Sequence, residues 1–226
     1  MTKVSTVILV HGAWADGSSW SKIIPLLTAQ GVRTLAVQLP LNAFADDVAT
    51  VKRAIALEAG PVTLVGHSYG GQVITEAGTD EKVASLVYIA AFAPDAGESA
   101  GSLGASVEPA PMGAELRPDA QGFLKLTPAG IANDFAQDLT AAEKDVLFAV
   151  QGPTHAAALG ANVTQPAWKT KPSWYLVATE DRAIQPDLER TMAARIQATT
   201  VEVTASHVAM LSKPEETADL ILKALG

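Results

Sequence analysis

The chain has 226 residues, 48% of them hydrophobic and 18% charged, which predicts a single globular domain with enough apolar material for a large core. Its formal net charge of −8 and its pI near 4.9 argue against nucleic acid or an anionic membrane as the main partner. Because there is no cysteine, a disulfide framework and a thiolate metal site are both excluded.

Apolar, β-branched runs alternate with helical patterns along most of the chain. Six such runs predict strands, over residues 4–10, 32–37, 61–65, 83–91, 173–179 and 199–203. Helical patterns lie between and after them: at about 19–31, from a cap at Asp46-Asp47, directly after Ser68, at about 185–196 and at about 213–225. This alternation predicts an α/β fold, with a mostly parallel six-stranded sheet and helices on both faces. No repeat or linker divides the chain, so we expect one domain over residues 1–226.

The stretch 94–171 interrupts this alternation, because it contains no clear strand. It begins with many glycines and prolines and then shows short helical patterns at about 127–138 and 140–150. The predicted core therefore consists of residues 1–93 and 172–226. We interpret the insertion as a cap over the strand ends, and the alternative is a surface elaboration without a function.

One predicted strand ends abruptly in Gly66-His67-Ser68-Tyr69-Gly70-Gly71, and a helical pattern follows at once. A strand, Gly-x-Ser-x-Gly and a helix in that order predict a nucleophile elbow, a sharp turn that presents the serine hydroxyl. The turn brings helix and strand so close that positions 66 and 70 can hardly carry side chains. Ser68 is therefore the candidate nucleophile, and the alternative is a glycine-rich turn with a solvent-facing serine.

A serine nucleophile needs a general base, and the base needs a group that orients it. After a nucleophile elbow, the acid and then the histidine follow later in the chain. Asp181 comes just after the predicted strand 173–179 and His207 just after 199–203, at the strand ends where open parallel sheets carry their sites. We predict Asp181 as the orienting acid and His207 as the base. Glu180 is the nearest rival acid, and Asp95 is a second.

The other three histidines have different expected roles. His11 is expected to shape the loop beside the site, His67 to point away from the reaction, and His155 at most to touch substrate. The four histidines lie far apart without the short spacings of metal ligands, so we expect no metal site.

An oxyanion hole needs two backbone N–H donors. One is expected from Tyr69, directly after the nucleophile, where the following helix also aims its positive end at the site. The other is expected from Ala13, because His11-Gly12 after the first strand lets the backbone pass close to substrate.

Taken together, these motifs resemble those of the α/β-hydrolases, in particular the plant methylesterase and hydroxynitrile lyase group and similar bacterial esterases. The matching stretches are Val10-His11-Gly12-Ala13-Trp14 with Trp20 and Pro25-Leu26-Leu27, the elbow 66–71, Thr179-Glu180-Asp181, and His207-Val208-Ala209-Met210-Leu211. The resemblance covers the core on both sides of the insertion and is poor within the insertion, which is short for the group. It implies an α/β-hydrolase fold with a helical cap, a triad of Ser68, Asp181 and His207, and an oxyanion hole from the amides of Ala13 and Tyr69. It further implies a cofactor-free enzyme that acts on small esters in a largely apolar pocket.

We interpret the chain as a serine carboxylesterase that hydrolyses small carboxylic esters through an acyl-enzyme on Ser68. An acyltransferase or perhydrolase would use the same residues with another acceptor, and a non-enzymatic small-molecule receptor is an alternative from a different class. A hydroxynitrile lyase is a further alternative. Lyases of the resembling type carry a lysine directly after the catalytic histidine and a threonine in the oxyanion loop. Val208 and Ala13 stand at those positions here and favour the esterase.

The N-terminal residues, including Lys3, show no apolar segment that ends in a cleavage site, and no apolar run is long enough to cross a membrane. We therefore expect a soluble, cytoplasmic protein whose partner is a small-molecule ester.

Overall fold

The computed structural model describes residues 6–226, so Val4 and Ser5 of the predicted first strand, and Lys3 before them, lie outside the described residues. The described part of the chain contains nine strands: β1 (Thr6–Val10), β2 (Arg33–Ala36), β3 (Val62–Ser68), β4 (Val83–Ala91), β5 (Leu116–Pro118), β6 (Phe123–Leu126), β7 (Thr154–His155), β8 (Ser173–Ala178) and β9 (Thr199–Val203).

Six of these strands form one parallel sheet in the order β2-β1-β3-β4-β8-β9. They are the six strands that the sequence predicts, and the predicted parallel sheet is confirmed. Every residue of β1 and β3 is buried, as expected for strands that are covered on both faces.

Ten α-helical segments lie in the described residues: α1 (Ile23–Ala29), α2 (Phe44–Leu57), α3 (Tyr69–Ala77), α4 (Ala100–Ala105), α5 (Pro128–Gly130), α6 (Ala141–Val150), α7 (Ala156–Gly160), α8 (Pro186–Arg195), α9 (Ala209–Ser212) and α10 (Pro214–Lys223). Helix α2 packs against α3, and α1 packs against α10. Both α8 and α10 begin with proline, whose fixed φ and missing N–H suit the first helical position.

The predicted cap of α2 at Asp46-Asp47 is wrong. The helix begins two residues earlier, at Phe44, and its N-cap residue Ala43 makes no side-chain capping bond. Asp47 is instead fully buried, and its carboxylate accepts hydrogen bonds from the backbone of Leu41 and from the Tyr69 hydroxyl. Asp47 therefore accepts hydrogen bonds inside the fold and does not cap the helix.

The segment between β4 and β8 contains more strand than the sequence indicates. Strands β5, β6 and β7 form a separate antiparallel sheet, with two to four residues in each strand. The predicted helix at 140–150 is present as α6, which opens with a capping box between Thr140 and Glu143. The helical pattern at 127–138 corresponds to the short α5 and one π-helical turn, Ile131–Phe135.

Because β1, β3, β8 and β9 run in the same direction, their carboxyl ends meet at one edge of the sheet. Ser68 is the last residue of β3, and the loops after β1, β8 and β9 carry Ala13, Asp181 and His207. The fold thus gathers at one edge residues that are up to 194 positions apart, from position 13 to position 207.

Candidate active site

Ser68 lies at the junction of β3 and α3, with φ of 53° and ψ of −124°. A positive φ is strained for a residue with a side chain, and such strain persists only where the surrounding structure enforces it. The enforcement is visible in the packing of the turn. A Cβ atom on Gly66 would lie 2.6 Å from the Gly70 carbonyl oxygen, and a Cβ on Gly70 would lie 2.5 Å from that of Val10. Only glycine fits at either position, as the elbow motif predicts.

The loop after β1 runs directly alongside the serine. A Cβ on Gly12 would come within 2.7 Å of the Ser68 Cβ, so the backbone there can approach only because residue 12 is glycine. Ala13 and Tyr69 line the same cavity as Ser68. The N–H of Ala13 donates to no acceptor among residues 6–226, and the N–H of Tyr69 is in the first turn of α3, where helical amides have no partner within the helix. Two amides next to one serine are what an oxyanion requires.

His11 fixes the orientation of this loop. Its Nε2 accepts a hydrogen bond from the backbone N–H of Leu39 at 2.9 Å, so the proton is on Nδ1, which donates to the Gly12 carbonyl oxygen at 2.8 Å. The Gly12 carbonyl and the Ala13 N–H belong to one trans peptide unit and point in opposite directions. By holding the carbonyl on one side, His11 directs the Ala13 N–H to the other. Burial lowers the pKa of His11, which keeps this tautomer neutral.

Asp181 and His207 form a direct pair. The Nδ1–H of His207 donates to Oδ2 of Asp181 at 2.6 Å, and both side chains are almost completely buried. The other carboxylate oxygen of Asp181 accepts from the backbone N–H groups of Ala183 at 2.6 Å and Ile184 at 2.9 Å. These three bonds fix the carboxylate, and the carboxylate fixes the imidazole so that Nε2 is free to accept a proton.

The described residues contain no hydrogen bond between the Ser68 hydroxyl and His207, so the third contact of the predicted triad is open in this structure. Such contacts are often long in enzymes without substrate and shorten when the substrate binds. The structure thus brings Asp181 and His207 into contact and places Ser68 at the same edge of the sheet.

Neither rival acid makes a side-chain hydrogen bond or ion pair with His207. Asp95 forms an ion pair with Lys169 at 2.5 Å on the surface, and that hydrogen bond lowers the pKa of its carboxyl group. The backbone carbonyl oxygen of Glu180 accepts a hydrogen bond from Gln137 Nε2 at 2.6 Å. His155 caps α7 through its Nδ1, which accepts from the N–H of Ala157, and it does not line the cavity at Ser68.

The expectation that His67 points away from the reaction needs correction, because its ring lies against His207, the predicted base. The two imidazole centroids are 4.7 Å apart, and Nε2 of His67 donates to the backbone carbonyl oxygen of His207 at 2.9 Å. The ring of Phe135, from the segment between β4 and β8, lies 5.1 Å from the His207 ring. The sequence places His67 in the elbow, but no sequence pattern indicates its contact with His207 or the position of Phe135 beside it.

Burial and, secondarily, the neighbouring His207 place the pKa of His67 well below that of an ordinary histidine. His67 is thus neutral, and since its Nε2–H donates, its Nδ1 carries a lone pair. That lone pair finds no hydrogen-bond partner among the described residues.

The buried carboxylate of Asp47 holds the side chain of Tyr69. Its hydroxyl donates to Oδ2 of Asp47 at 2.7 Å, while Oδ1 of Asp47 accepts from the N–H of Leu41 at 2.9 Å. Burial raises the pKa of Asp47 and, together with the Asp47 charge, raises that of the Tyr69 hydroxyl. Tyr69 therefore anchors the start of α3, whose first amide faces the serine.

A cavity of about 110 Å³ opens next to Ser68. Its other lining residues are uncharged and mostly apolar: Ala13, Trp14, Tyr69, Phe92, Ala100, Gly101, Met112, Leu159, Ala183 and Ile184. A second cavity of about 240 Å³ adjoins it and shares four lining residues with it, Phe92, Met112, Ala183 and Ile184. A hollow of about 1010 Å³ lies at the opposite edge of the sheet around Pro61, Pro172 and Trp174 and contains none of the site residues.

Within residues 6–226, no cluster of histidine, aspartate and glutamate side chains has the arrangement of a metal site. None of the helices described there combines the length and the apolar character needed to cross a membrane.

The chain is similar to known α/β-hydrolases in sequence and in fold. The sequence profile of the alpha/beta hydrolase family matches residues 7–220. The chain is 26% identical to esterase PIR7B of Oryza sativa subsp. japonica, over 95% of this chain and 92% of that protein. It is 28% identical to methylesterase 1 of Arabidopsis thaliana, over 96% of this chain and 94% of that protein. Among solved structures, polyneuridine aldehyde esterase superposes with a TM-score of 0.85 at 21% identity, over 98% of this chain and 99% of that one.

Proposed function

Because this chain belongs to the α/β-hydrolase family, we propose that it is a serine carboxylesterase that hydrolyses small, uncharged carboxylic esters through an acyl-enzyme on Ser68. The observation that carries the proposal is the buried His207–Asp181 hydrogen bond of 2.6 Å at the sheet edge that also presents the elbow serine. The relatives named as esterases support the reaction class.

In the proposed reaction, the Ser68 hydroxyl attacks the ester carbonyl while His207 Nε2 accepts its proton. Asp181 stabilises the imidazolium that forms. The amides of Ala13 and Tyr69 donate to the oxyanion of the tetrahedral intermediate. His207 then protonates the leaving alcohol, and a water molecule, activated by the same histidine, releases the acid from Ser68.

The cavity limits the acyl part of the substrate. An apolar cavity of about 150 Å³ holds one benzene molecule, so the space of about 110 Å³ next to Ser68 suits a chain of roughly four carbons. We assign this cavity to the acyl group because it contains the serine and both oxyanion donors. The adjoining cavity of about 240 Å³ then receives the alcohol. Neither cavity is lined by a cationic side chain. An acyl group that carries a negative charge would therefore lose its hydration on binding without a compensating ion pair.

The segment 94–171 acts as a cap in this proposal. Ala100, Gly101, Met112 and Leu159 from it form one wall of the cavity at Ser68, and Phe135 contacts the ring of His207. It thereby separates the reacting atoms from bulk water, which strengthens the electrostatic interactions there.

The first experiment measures hydrolysis of p-nitrophenyl esters from acetate to octanoate. We expect turnover with acetate and butyrate and a decline for longer acyl chains, with no effect of EDTA. A receptor would bind these esters without releasing p-nitrophenol, and an acyltransferase would release it faster when an alcohol acceptor is added.

The second experiment identifies the nucleophile and its base. A phosphonate that reacts with activated serines should label Ser68 stoichiometrically, and the His207→Ala variant should fail to be labelled, because a serine hydroxyl alone is a weak nucleophile. Equal labelling with and without His207, or a rate that a chelator abolishes, contradicts the proposed mechanism.

A further inference from the structure

Glu189 is a carboxyl group that the proposed mechanism does not use. It lies in the first turn of α8, on the side of the site behind Asp181, and it is 0% exposed. A fully buried acid is rare unless it is paired or protonated, because removing its charge from water costs several kcal/mol or more. Its surroundings therefore decide which state it adopts.

One oxygen of Glu189 has a clear partner. Oε2 accepts a hydrogen bond from the backbone N–H of Ala178, the last residue of β8, at 3.1 Å. The other oxygen, Oε1, is buried and has no hydrogen-bond partner among the described residues. The neighbouring acid is Asp181, whose backbone N–H donates to the carbonyl oxygen of the same Ala178 at 3.1 Å and whose charge acts on the Glu189 carboxyl.

Two ionised carboxylates that are neighbours in a buried site repel each other, and neither can donate a hydrogen bond to the other, because each can only accept. One of the two must carry a proton. Asp181 already accepts hydrogen bonds from three donors, namely the His207 ring and the amides of Ala183 and Ile184. Glu189 has one backbone donor, so the proton belongs on Glu189.

The other charged and titratable groups near Glu189 do not alter this assignment. The Tyr175 hydroxyl from β8 is neutral and donates to the carbonyl oxygen of Ala91. Arg190, the next residue on α8, is 41% exposed and turns to Asp187 and Glu202. No cation within residues 6–226 forms an ion pair with Glu189, and burial, followed by the charge of Asp181, raises its pKa well above that of an ordinary glutamate.

We infer that Glu189 is a positioning residue, whose neutral carboxyl group donates a hydrogen bond to Asp181 and so holds the acid that orients His207. The inference rests on the proposed role of Asp181. Glu189 extends the chain of contacts from the base into the core, through Asp181 and on to the end of β8. In its neutral form it contributes a donor without adding a second negative charge next to the Asp181–His207 pair.

Two variants test this assignment by kinetics. Glu189→Gln keeps one donor and one acceptor, so we expect kcat/KM within about threefold of wild type and an unchanged acidic limb of the pH profile. Glu189→Leu removes both, so we expect kcat to fall by roughly tenfold or more with little change in KM, because Glu189 does not touch substrate. Rescue by Gln but not by Leu is the signature of the donated hydrogen bond.

An ionised Glu189 predicts a different result. Its negative charge would stabilise the His207 imidazolium, so replacement by Gln would move the acidic limb to lower pH, by about half a unit or more. That shift, or a Glu189→Leu enzyme as active as wild type, would overturn the inference.

Unfolding provides a readout that does not depend on ester hydrolysis. If Glu189 is protonated in the folded protein and ionised in the unfolded chain, the wild-type unfolding constant rises tenfold per pH unit relative to Glu189→Gln, at pH values above glutamate's ordinary value of about 4.3. We expect this pH-dependent difference in urea unfolding between pH 5 and pH 8. If wild type and Glu189→Gln show no such difference, Glu189 is not protonated in the folded protein, even if the enzyme hydrolyses esters. If the difference is present but the protein hydrolyses no ester, only the proposed function is refuted.

Discussion

The Nε2–H group of His67 donates a hydrogen bond of 2.9 Å to the backbone carbonyl oxygen of His207, and the two imidazole rings lie 4.7 Å apart. The residue directly before the proposed nucleophile therefore holds the backbone of the proposed base. One buried side chain thus connects the elbow to the loop after β9 that carries His207.

Replacing His67 tests this connection. In His67→Leu, the carbonyl of His207 loses its donor, and we expect kcat to fall by roughly tenfold with a small change in KM, since a lost buried partner costs about 1–3 kcal/mol. His67→Gln offers an amide N–H in a similar place and should recover most of the activity. Steady-state kinetics on a p-nitrophenyl ester decides between them, and equal activity of both variants would show that the contact does not position His207.

Because His67 is buried and uncharged, the protein should lose stability in acid. The folded pKa of His67 is lowered, so below the ordinary histidine value of about 6.5 the unfolded chain binds a proton that the folded protein does not. The free energy of unfolding then decreases as the pH falls below about 6.5, by about 1.4 kcal/mol per pH unit for this residue, and does not change on its account at higher pH. Urea unfolding of wild type and His67→Gln between pH 8 and pH 5 isolates the effect. Parallel curves for the two proteins would mean that His67 is protonated in the fold.

Ser68→Ala should abolish ester hydrolysis and leave the fold intact. Loss of the nucleophile in a serine protease lowers turnover by roughly a millionfold, and we expect a comparable loss here. Circular dichroism and the rate with p-nitrophenyl butyrate are the measurements. Retention of more than about a hundredth of the wild-type rate would exclude Ser68 as the nucleophile.

Adjacent acids provide a matched pair of variants. Asp181→Asn keeps the shape but removes the acceptor for the His207 Nδ1–H, so we expect turnover to fall by about ten-thousandfold through the wrong tautomer. Glu180→Gln changes the neighbouring side chain, which does not contact His207, and should cost less than about twofold. The reverse order of effects would identify Glu180 as the orienting acid.

Helix α3 packs so closely against β1 that one added methyl group at position 70 should lower the free energy of unfolding. In Gly70→Ala, the new Cβ would lie 2.5 Å from the Val10 carbonyl oxygen and 2.7 Å from that of His11, and backbone atoms cannot move aside easily. We expect a loss of about 1–3 kcal/mol in the free energy of unfolding and reduced turnover. Gly104→Ala in α4 is the control, because nothing lies within 4 Å of its new Cβ and alanine is the better helix former. Chemical denaturation should show the first variant destabilised and the second not; similar stability of the two would contradict the packing argument.

The sequence alone determined the parallel sheet and the chain order of the site. Long apolar runs such as Val83–Ala91 have the composition of strands buried on both faces, and the observed bounds of β4 and β9 equal the predicted ones. Gly66 and Gly70 were predictable because the elbow geometry excludes every other residue there. Asp181 and His207 were found by their places after two strand ends, since parallel strands bring those ends together.

Only the tertiary structure decided the contacts that depend on burial. Strands β5 to β7 are too short for a period of two to emerge from the sequence, and they form only because neighbouring strands pair. Asp47 and Glu189 both read as acids in the first turn of a helix, a place where acids are usually solvated and favourable to the helix dipole. In the fold both are fully buried, one beneath Tyr69 and the other behind Asp181. Helical periodicity gives the face of the helix on which a residue lies. Its hydrogen-bond partners and its protonation state depend on the packing of segments that are distant in sequence, such as β8 and the loop after β9.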